Sequence, residues 1–309
     1  MTESPNDLAV LGPEAALLSE IENLHLRAQL AVQGALAGVH RSRRRGASIE
    51  FSEHKLYTPG DDIRHMDWRA FAKTDRYHIK QFEDETNLTL HVLVDHSGSM
   101  QFSSNGNMSK LAYARDLAAA LCYLALRQGD ATGLLTVGGT TSQEVPARAT
   151  GSHLFEVLRH LVTCQAEGPT RLAWALDRLA RTSKRRSLMV IISDLFDPDP
   201  ELPKAFRRLS ARHHDVSVLQ LLDPAELHFP YESPVQFASL EDNRRLFVHP
   251  RTLRATYLDE FKKFTERTRR QLSEARIDYA KIDTSTSPGQ ALAAFLRSRE
   301  GRNPSGRRE

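Results

Sequence analysis

Residues 87–100 read NLTLHVLVDHSGSM, and the pattern within this stretch changes abruptly at Asp95. The first half is mostly apolar, which favours a buried strand. After it, one carboxylate and two hydroxyls stand at alternate positions: Asp95, Ser97 and Ser99. A carboxylate at the end of a buried strand is costly unless it meets a positive partner, hydrogen-bond donors or a metal ion. The rest of the sequence must therefore supply a partner for Asp95.

Downstream of this stretch, apolar strands alternate with helical patterns to about residue 296. Strands such as LMVIIS (188–193) are apolar on both faces, as expected for a parallel sheet covered by helices on both sides. We therefore predict an α/β fold with a doubly wound, mostly parallel sheet. The predicted helices cover residues 110–127, 152–162, 172–181, 201–212 and 253–275 and a segment beyond 288, and the predicted strands lie near residues 88–94, 131–138, 143–147, 187–193, 216–222 and 278–282.

The first 86 residues have a different organisation. Leu17, Ile21, Leu24 and Ala28 follow helical spacing, which predicts one amphipathic helix over residues 14–37 that the basic run RSRRR (41–45) interrupts. Residues 48–85 mix aromatic and charged residues around the turn signal TPGD, and we predict short strands near 49–51 and 77–82. The predicted domains are this extension (1–86), a sheet domain (87–296) and a disordered tail (297–309).

Composition indicates an ordinary soluble globular protein, with 40% hydrophobic and 26% charged residues, and the features below predict a cytoplasmic location. Cys122 and Cys164 lie in apolar, helix-like stretches, which predicts reduced core thiols. The N-terminal residues are acidic where a signal peptide would be basic, and no apolar run approaches the length of a membrane span. We therefore expect neither export nor membrane anchoring.

The sequence disfavours nucleic acid and zinc as ligands. The net charge of +3 gives no strong basic field, and RSRRR has no interleaved aromatic residues that could stack on bases, so we predict no nucleic-acid partner. Thirteen histidines invite a zinc hypothesis, but the sequence has no His-Glu-x-x-His motif and no paired Cys-x-x-Cys.

The predicted topology places several polar residues at one edge of the sheet. Ligands of open parallel sheets bind at the carboxyl ends of the strands. Asp194 follows LMVIIS, and GPTRLAWAL places Thr170 in a loop just before a helix. Oxygen ligands of this kind suit a hard divalent cation, Mg2+ or alternatively Mn2+. The predicted metal-binding residues are Asp95, Ser97, Ser99, Thr170 and Asp194.

The mixture of hydroxyls and carboxylates favours binding over hydrolysis. If the hydroxyls contact the ion directly and the two carboxylates act through water, the ion keeps much of its charge and attracts an outside carboxylate. Alternatives remain: Asp95 and its neighbouring serines could cap a helix, or Asp95 and Asp194 could serve a metal-dependent phosphatase or hydrolase. A third alternative is a structural cluster without metal.

These motifs resemble known families. LVDHSGSM, GPTRLAWAL and IISDLFD look like the three loops of the metal ion-dependent adhesion site of von Willebrand factor A-type domains. The segment EFSEHKLYTPGDDIRHMDWRAFAKTDRYHIKQFEDE resembles the signature of a bacterial family, the domain of unknown function 58 (DUF58). The resemblance implies a von Willebrand factor A-like sheet with a Mg2+ site, and a non-enzymatic, chaperone-like role beside a MoxR-type AAA+ ATPase or its client.

Overall fold

The computed structural model describes residues 13–43, 55–56, 78–79, 88–104, 106–139, 141–183, 185–242 and 244–300. The chain divides into two compact units, a larger one of residues 1–39 and 88–309 and a smaller one of residues 40–87. In the smaller unit, β1 (Lys55–Leu56) and β2 (His78–Ile79) pair antiparallel. The strand expected near 49–51 and most of the DUF58-like signature lie outside the described residues.

The larger unit contains a six-stranded sheet and a separate hairpin. Its strands are β3 (Thr89–Asp95), β4 (Ala131–Gly138), β5 (Thr141–Arg148), β6 (Leu188–Ser193), β7 (Asp215–Leu222), β8 (Val235–Ala238), β9 (Arg245–Val248) and β10 (Asp278–Asp283). The sheet has the order β10-β7-β6-β3-β4-β5, and β8 and β9 form the hairpin. Neighbouring strands of the sheet are parallel except at the edge, where β5 runs antiparallel to β4.

Helices cover both faces of the sheet. They are α1 (Pro13–Arg43), α2 (Lys110–Arg127), α3 (His153–Thr163), α4 (Leu172–Thr182), α5 (Leu202–Ser210), α6 (Pro224–His228), α7 (Pro250–Glu274) and α8 (Pro288–Glu300). Alternate residues of β6 show the arrangement: Val190 joins a core with α1, α2, α3 and α8, whereas Met189 joins a core with α4 and α5. The predicted fold class, a doubly wound and mostly parallel sheet, is confirmed.

Local sequence sets the limits of the elements that bear on the site. Ser109 caps α2 because its side chain accepts a hydrogen bond from the Ala112 N–H at 3.2 Å. β3 ends at Asp95, and a single 3-10 turn follows at Gly98–Gln101. Cys122 and Cys164 are both free and buried, as predicted.

Three features differ from the sequence-based expectation. The helix α1 continues to Arg43, so its backbone runs through the first part of RSRRR. Its residues up to Val39 group with the sheet unit, and Leu24, Ala28 and Val32 pack in the sheet's core. At the other end, α8 continues to Glu300, past residue 297 where we predict the tail to begin.

Within the described ranges, no helix combines the length and the apolar character that a membrane crossing requires.

Candidate functional site

The turn after β3 places two hydroxyls side by side. The Ser97 N–H donates to Asp95 Oδ1 at 2.9 Å, which folds the turn back onto the end of the strand. The hydroxyl oxygens of Ser97 and Ser99 are then 3.2 Å apart. Gly98 allows the backbone of Leu240 to pack against this turn, because a Cβ at this position would lie 2.1 Å from the backbone oxygen of Leu240. The Asp-x-Ser-x-Ser pattern therefore presents its oxygens together, as the sequence predicts.

The loop before α4 is tied to the same turn through backbone hydrogen bonds. The Gly98 N–H donates to Gly168 O at 2.8 Å, and the Glu167 N–H donates to His96 O at 2.9 Å. These bonds bring Thr170 to the end of β3, where its hydroxyl donates to Asp95 Oδ2 at 3.2 Å. Thr170 thus lies beside Asp95, although 75 residues separate them in the sequence.

The turn after β6 completes the cluster. The Ser193 hydroxyl donates to Asp95 Oδ2 at 2.7 Å, and the next residue, Asp194, accepts a hydrogen bond from the Phe196 N–H at 3.1 Å. Leu195, which lies between Asp194 and Phe196, adopts a left-handed backbone conformation with φ of 62°. This conformation is costly for a residue with a side chain and is stable only because the surroundings enforce it. The structure therefore brings all five predicted residues to one edge of the sheet.

Lys110, which the sequence-based reasoning did not include, lies against Asp194. Its ammonium group is fully buried, 2.7 Å from Asp194 Oδ2 and 2.6 Å from Glu226 Oε1. Burial alone lowers the pKa of Lys110, but the two carboxylates more than compensate and raise it above its ordinary value. One oxygen of Asp194 is therefore paired with the Lys110 cation, whereas Asp95 has no cationic partner among the described contacts.

The electrostatics of Asp95 reflect this difference. Asp95 is 1% exposed, and burial, followed by repulsion from Asp194, raises its pKa from 3.8 to about 6. Hydrogen bonds from Ser193 and Ser97 oppose the rise but do not cancel it. A divalent cation nearby would favour the ionised form of Asp95 and so relieve this cost.

The oxygen atoms at this edge fit a hard divalent cation. Adjacent ligands in an octahedron with metal–oxygen distances of about 2.1 Å lie about 3.0 Å apart, close to the 3.2 Å between the Ser97 and Ser99 hydroxyls. In the part of the chain that the structure describes, no group of three or more His, Cys, Asp or Glu side chains is placed to hold a metal ion. An ion at this edge would therefore need hydroxyl oxygens among its direct ligands.

The sequence-based reasoning did not include three residues of this region, and two of them could have been recognised from the sequence. Lys110 stands in the first turn of a helix, where the helix dipole disfavours a positive charge, and this unfavourable placement points to a nearby acid. Ser193 ends the apolar strand LMVIIS, so strand-end polarity could have identified it together with Asp194. Glu226 has no such signal, because its proximity to Lys110 depends on how α6 packs.

The raised pKa of Asp95 predicts a pH dependence of stability in chelator. Because the folded-state pKa lies above the ordinary 3.8, the contribution of Asp95 is complete below about pH 4 and is lost as the pH rises through about 6. We expect wild type to lose on the order of 2 to 3 kcal/mol between pH 4 and 8 relative to Asp95→Asn, which cannot titrate. Urea denaturation of both proteins measures this difference, and a constant difference across the range would contradict the assignment.

Comparison with known proteins identifies relatives of the chain. A family model described as "Protein of unknown function DUF58" matches residues 53–269. The uncharacterized protein Rv1480 of Mycobacterium tuberculosis (strain ATCC 25618 / H37Rv) is 34% identical over 242 residues, which cover 74% of this chain and 75% of Rv1480.

The solved structures that resemble this chain share less of its sequence than Rv1480 does. BatB, a conserved hypothetical protein from Bacteroides thetaiotaomicron, is 14% identical, and the match covers 68% of this chain and 98% of BatB with a TM-score of 0.43. The manganese-loaded TRAP protein of Plasmodium vivax is 19% identical, and the match covers 43% of this chain and 57% of TRAP with a TM-score of 0.35. Both similarities are too low to support a conclusion about function.

Proposed function

Since this chain belongs to the DUF58 family of proteins of unknown function, we propose its function from the geometry of its site. The protein is a non-enzymatic, cytoplasmic interaction module that binds an acidic side chain of a protein partner through a divalent cation, Mg2+ or Mn2+. Ser97, Ser99 and Thr170 would hold the ion directly. Asp95 and Asp194 would hold it through water. When bound, the ion supplies an open coordination position for the partner's carboxylate.

One observation carries this proposal, namely the pairing of the Ser97 and Ser99 hydroxyls at 3.2 Å beside a buried Asp95. Neutral hydroxyls as direct ligands leave most of the ion's charge available to an incoming acid. The buried carboxylates lie behind them, where their own hydrogen bonds fix their orientation. Such an arrangement favours the capture of an anion.

The nature of the partner follows from the resemblance to DUF58 proteins and von Willebrand factor A-type domains. That resemblance implies a MoxR-type AAA+ ATPase, or a client of such an ATPase, and a role in protein assembly or activation. A partner of this kind must present an exposed Asp or Glu at its contact surface. This requirement comes from the chemistry of the site, whereas the identity of the partner comes from the resemblance.

The alternative function, a metal-dependent phosphatase or hydrolase, is less well supported. It requires Asp95 or Asp194 to reach a substrate. Both residues are only 1% exposed, and their oxygens already accept hydrogen bonds or pair with Lys110. A buried carboxylate with committed oxygens is a poor nucleophile or base.

Removal of one hydroxyl tests the metal site without altering the buried acids. We expect Ser99→Ala to weaken Mn2+ binding at least tenfold in calorimetric titration, because a direct ligand is lost. The matched control is Ser103→Ala, four residues along the same segment, where the side chain is exposed. Ser103→Ala should bind Mn2+ as wild type does.

Capture from native lysate extends the test to the partner. Wild type should retain a protein in Mg2+ and release it in chelator, whereas Ser99→Ala should retain little of that protein in either condition. Binding that persists unchanged in chelator, or a wild-type protein that takes up neither Mg2+ nor Mn2+, would contradict the proposed function.

A further inference from the structure

The turn of the β8–β9 hairpin lies directly over the Asp95 turn. The backbone oxygen of Leu240 and the Cγ of Glu241 lie 2.1 and 3.3 Å from the position that a Cβ on Gly98 would occupy. Gly98 stands between the two serines whose hydroxyls face each other. The hairpin, which is separate from the main sheet, therefore covers the part of the site that we propose to receive a partner.

Glu241 extends its carboxylate to one of these serines. Its Cγ lies 3.3 Å from the position of a Cβ on Gly98, which is next to Ser99, and the carboxylate is close enough to Ser99 and Asp194 to feel the charge or dipole of each. A third acid thus approaches a site where Asp95 and Asp194 already repel each other.

The neighbouring acid in the same turn behaves differently. The Asp242 carboxylate pairs with Arg244 at 2.6 Å. The turn itself is held by the Ser239 side chain, which accepts hydrogen bonds from the N–H groups of Glu241 and Asp242. Glu241 therefore has no matching cation in its described contacts, whereas Asp242 does. A carboxylate beside another acid and beside a hydroxyl that we propose as a metal ligand would be stabilised by direct contact with the ion.

We propose that Glu241 is an internal carboxylate ligand of the same site and occupies the position that the partner's acid takes. This inference rests on the proposed function. The chain then has two states, one with Glu241 on the ion and one with the β8–β9 turn withdrawn and a partner bound. A tethered carboxylate has an effective concentration on the order of millimolar, so only a partner that binds through additional contacts displaces it.

Mn2+ titration with water-proton relaxation tests this inference on the intact chain. We compare wild type with Glu241→Gln and with the matched control Asp242→Asn, which removes a charge from the same turn. In Glu241→Gln, Mn2+ should bind three- to tenfold more weakly, because one ligand is lost. The relaxation enhancement per bound ion should rise, because a water molecule replaces the carboxylate. Asp242→Asn should match wild type in both measurements.

A small dicarboxylate then serves as the probe for the partner's acid. With Mn2+ bound, glutarate should lower the relaxation enhancement of Glu241→Gln at a concentration at least tenfold lower than it requires with wild type or Asp242→Asn. Equal affinities and equal enhancements in all three proteins would overturn the inference about Glu241 while leaving the metal site intact. Failure of wild type to bind Mn2+ at all would instead overturn the proposed function.

Discussion

Replacement of Lys110 by methionine is expected to lower the free energy of unfolding by about 4 kcal/mol, because removal of one partner of a buried ion pair leaves an uncompensated charge. Methionine has a similar length and no charge, so the substitution removes the ammonium group with little change in packed volume. Asp194 and Glu226, which lie 2.7 and 2.6 Å from that group, would then face each other without a cation. Rings of Phe102 and Phe196 flank the ammonium group at 5.9 and 4.9 Å and hinder water from replacing it.

Urea denaturation in chelator measures this loss. Lys204→Met is the matched control, since Lys204 also lies 2.6 Å from a carboxylate, that of Glu201, but its side chain is 63% exposed. An exposed pair contributes at most about 1 kcal/mol. The double variant Lys110→Met/Glu226→Gln should recover part of the lost stability, because it removes one of the two unpaired acids. A loss as small as that of Lys204→Met would show that the Lys110 pairs contribute little.

Gly138→Ala is the second substitution with a large expected effect. A Cβ on Gly138 would lie 2.6 Å from both the carbonyl carbon and the oxygen of His96. These are backbone atoms, and they lie between Asp95 and Ser97, so β4 and β3 cannot relax apart without distorting the candidate site. We expect a loss of about 3 kcal/mol, at the upper end of the range for overpacked cores.

The matched control for this substitution is Gly151→Ala, where an added Cβ meets no atom within 4 Å. Thermal and urea denaturation should show a large loss for Gly138→Ala and little change for Gly151→Ala. Mn2+ titration of Gly138→Ala below its unfolding transition should also show weakened binding, because the His96 backbone moves with Asp95 and Ser97. Equal stability of the two variants would mean that the strands adjust at little cost.

Much of the fold could be predicted from the sequence because the determining signals are local. Apolar runs such as LMVIIS carry their own strand preference, and Ser109 marks the start of α2 by capping it. The candidate site could be predicted for a related reason. In a parallel sheet the carboxyl ends of the strands lie at one edge, so residues that follow different strands, such as Asp95 and Asp194, approach each other.

The rest of the site could not be predicted, because it depends on how distant segments pack. Glu226 reaches Lys110 across 116 positions in the sequence, from a five-residue helix that has no signal beyond its own cap. Glu241 comes from a hairpin outside the parallel sheet, so the rule about strand ends does not apply to it. These residues are identified only when the packing of α6 and the β8–β9 hairpin is known.

The outermost strand β5 has a consequence for the behaviour of the molecule in concentrated solution. The strand contains Pro146, which has no N–H to offer another strand, and Glu144, which pairs with Arg178 of α4 at 2.6 Å. An unprotected strand of this length would act as a template for strands of other molecules, whereas proline and charge at this position discourage such pairing. The edge strand β5 is therefore a poor template for polymerisation and aggregation.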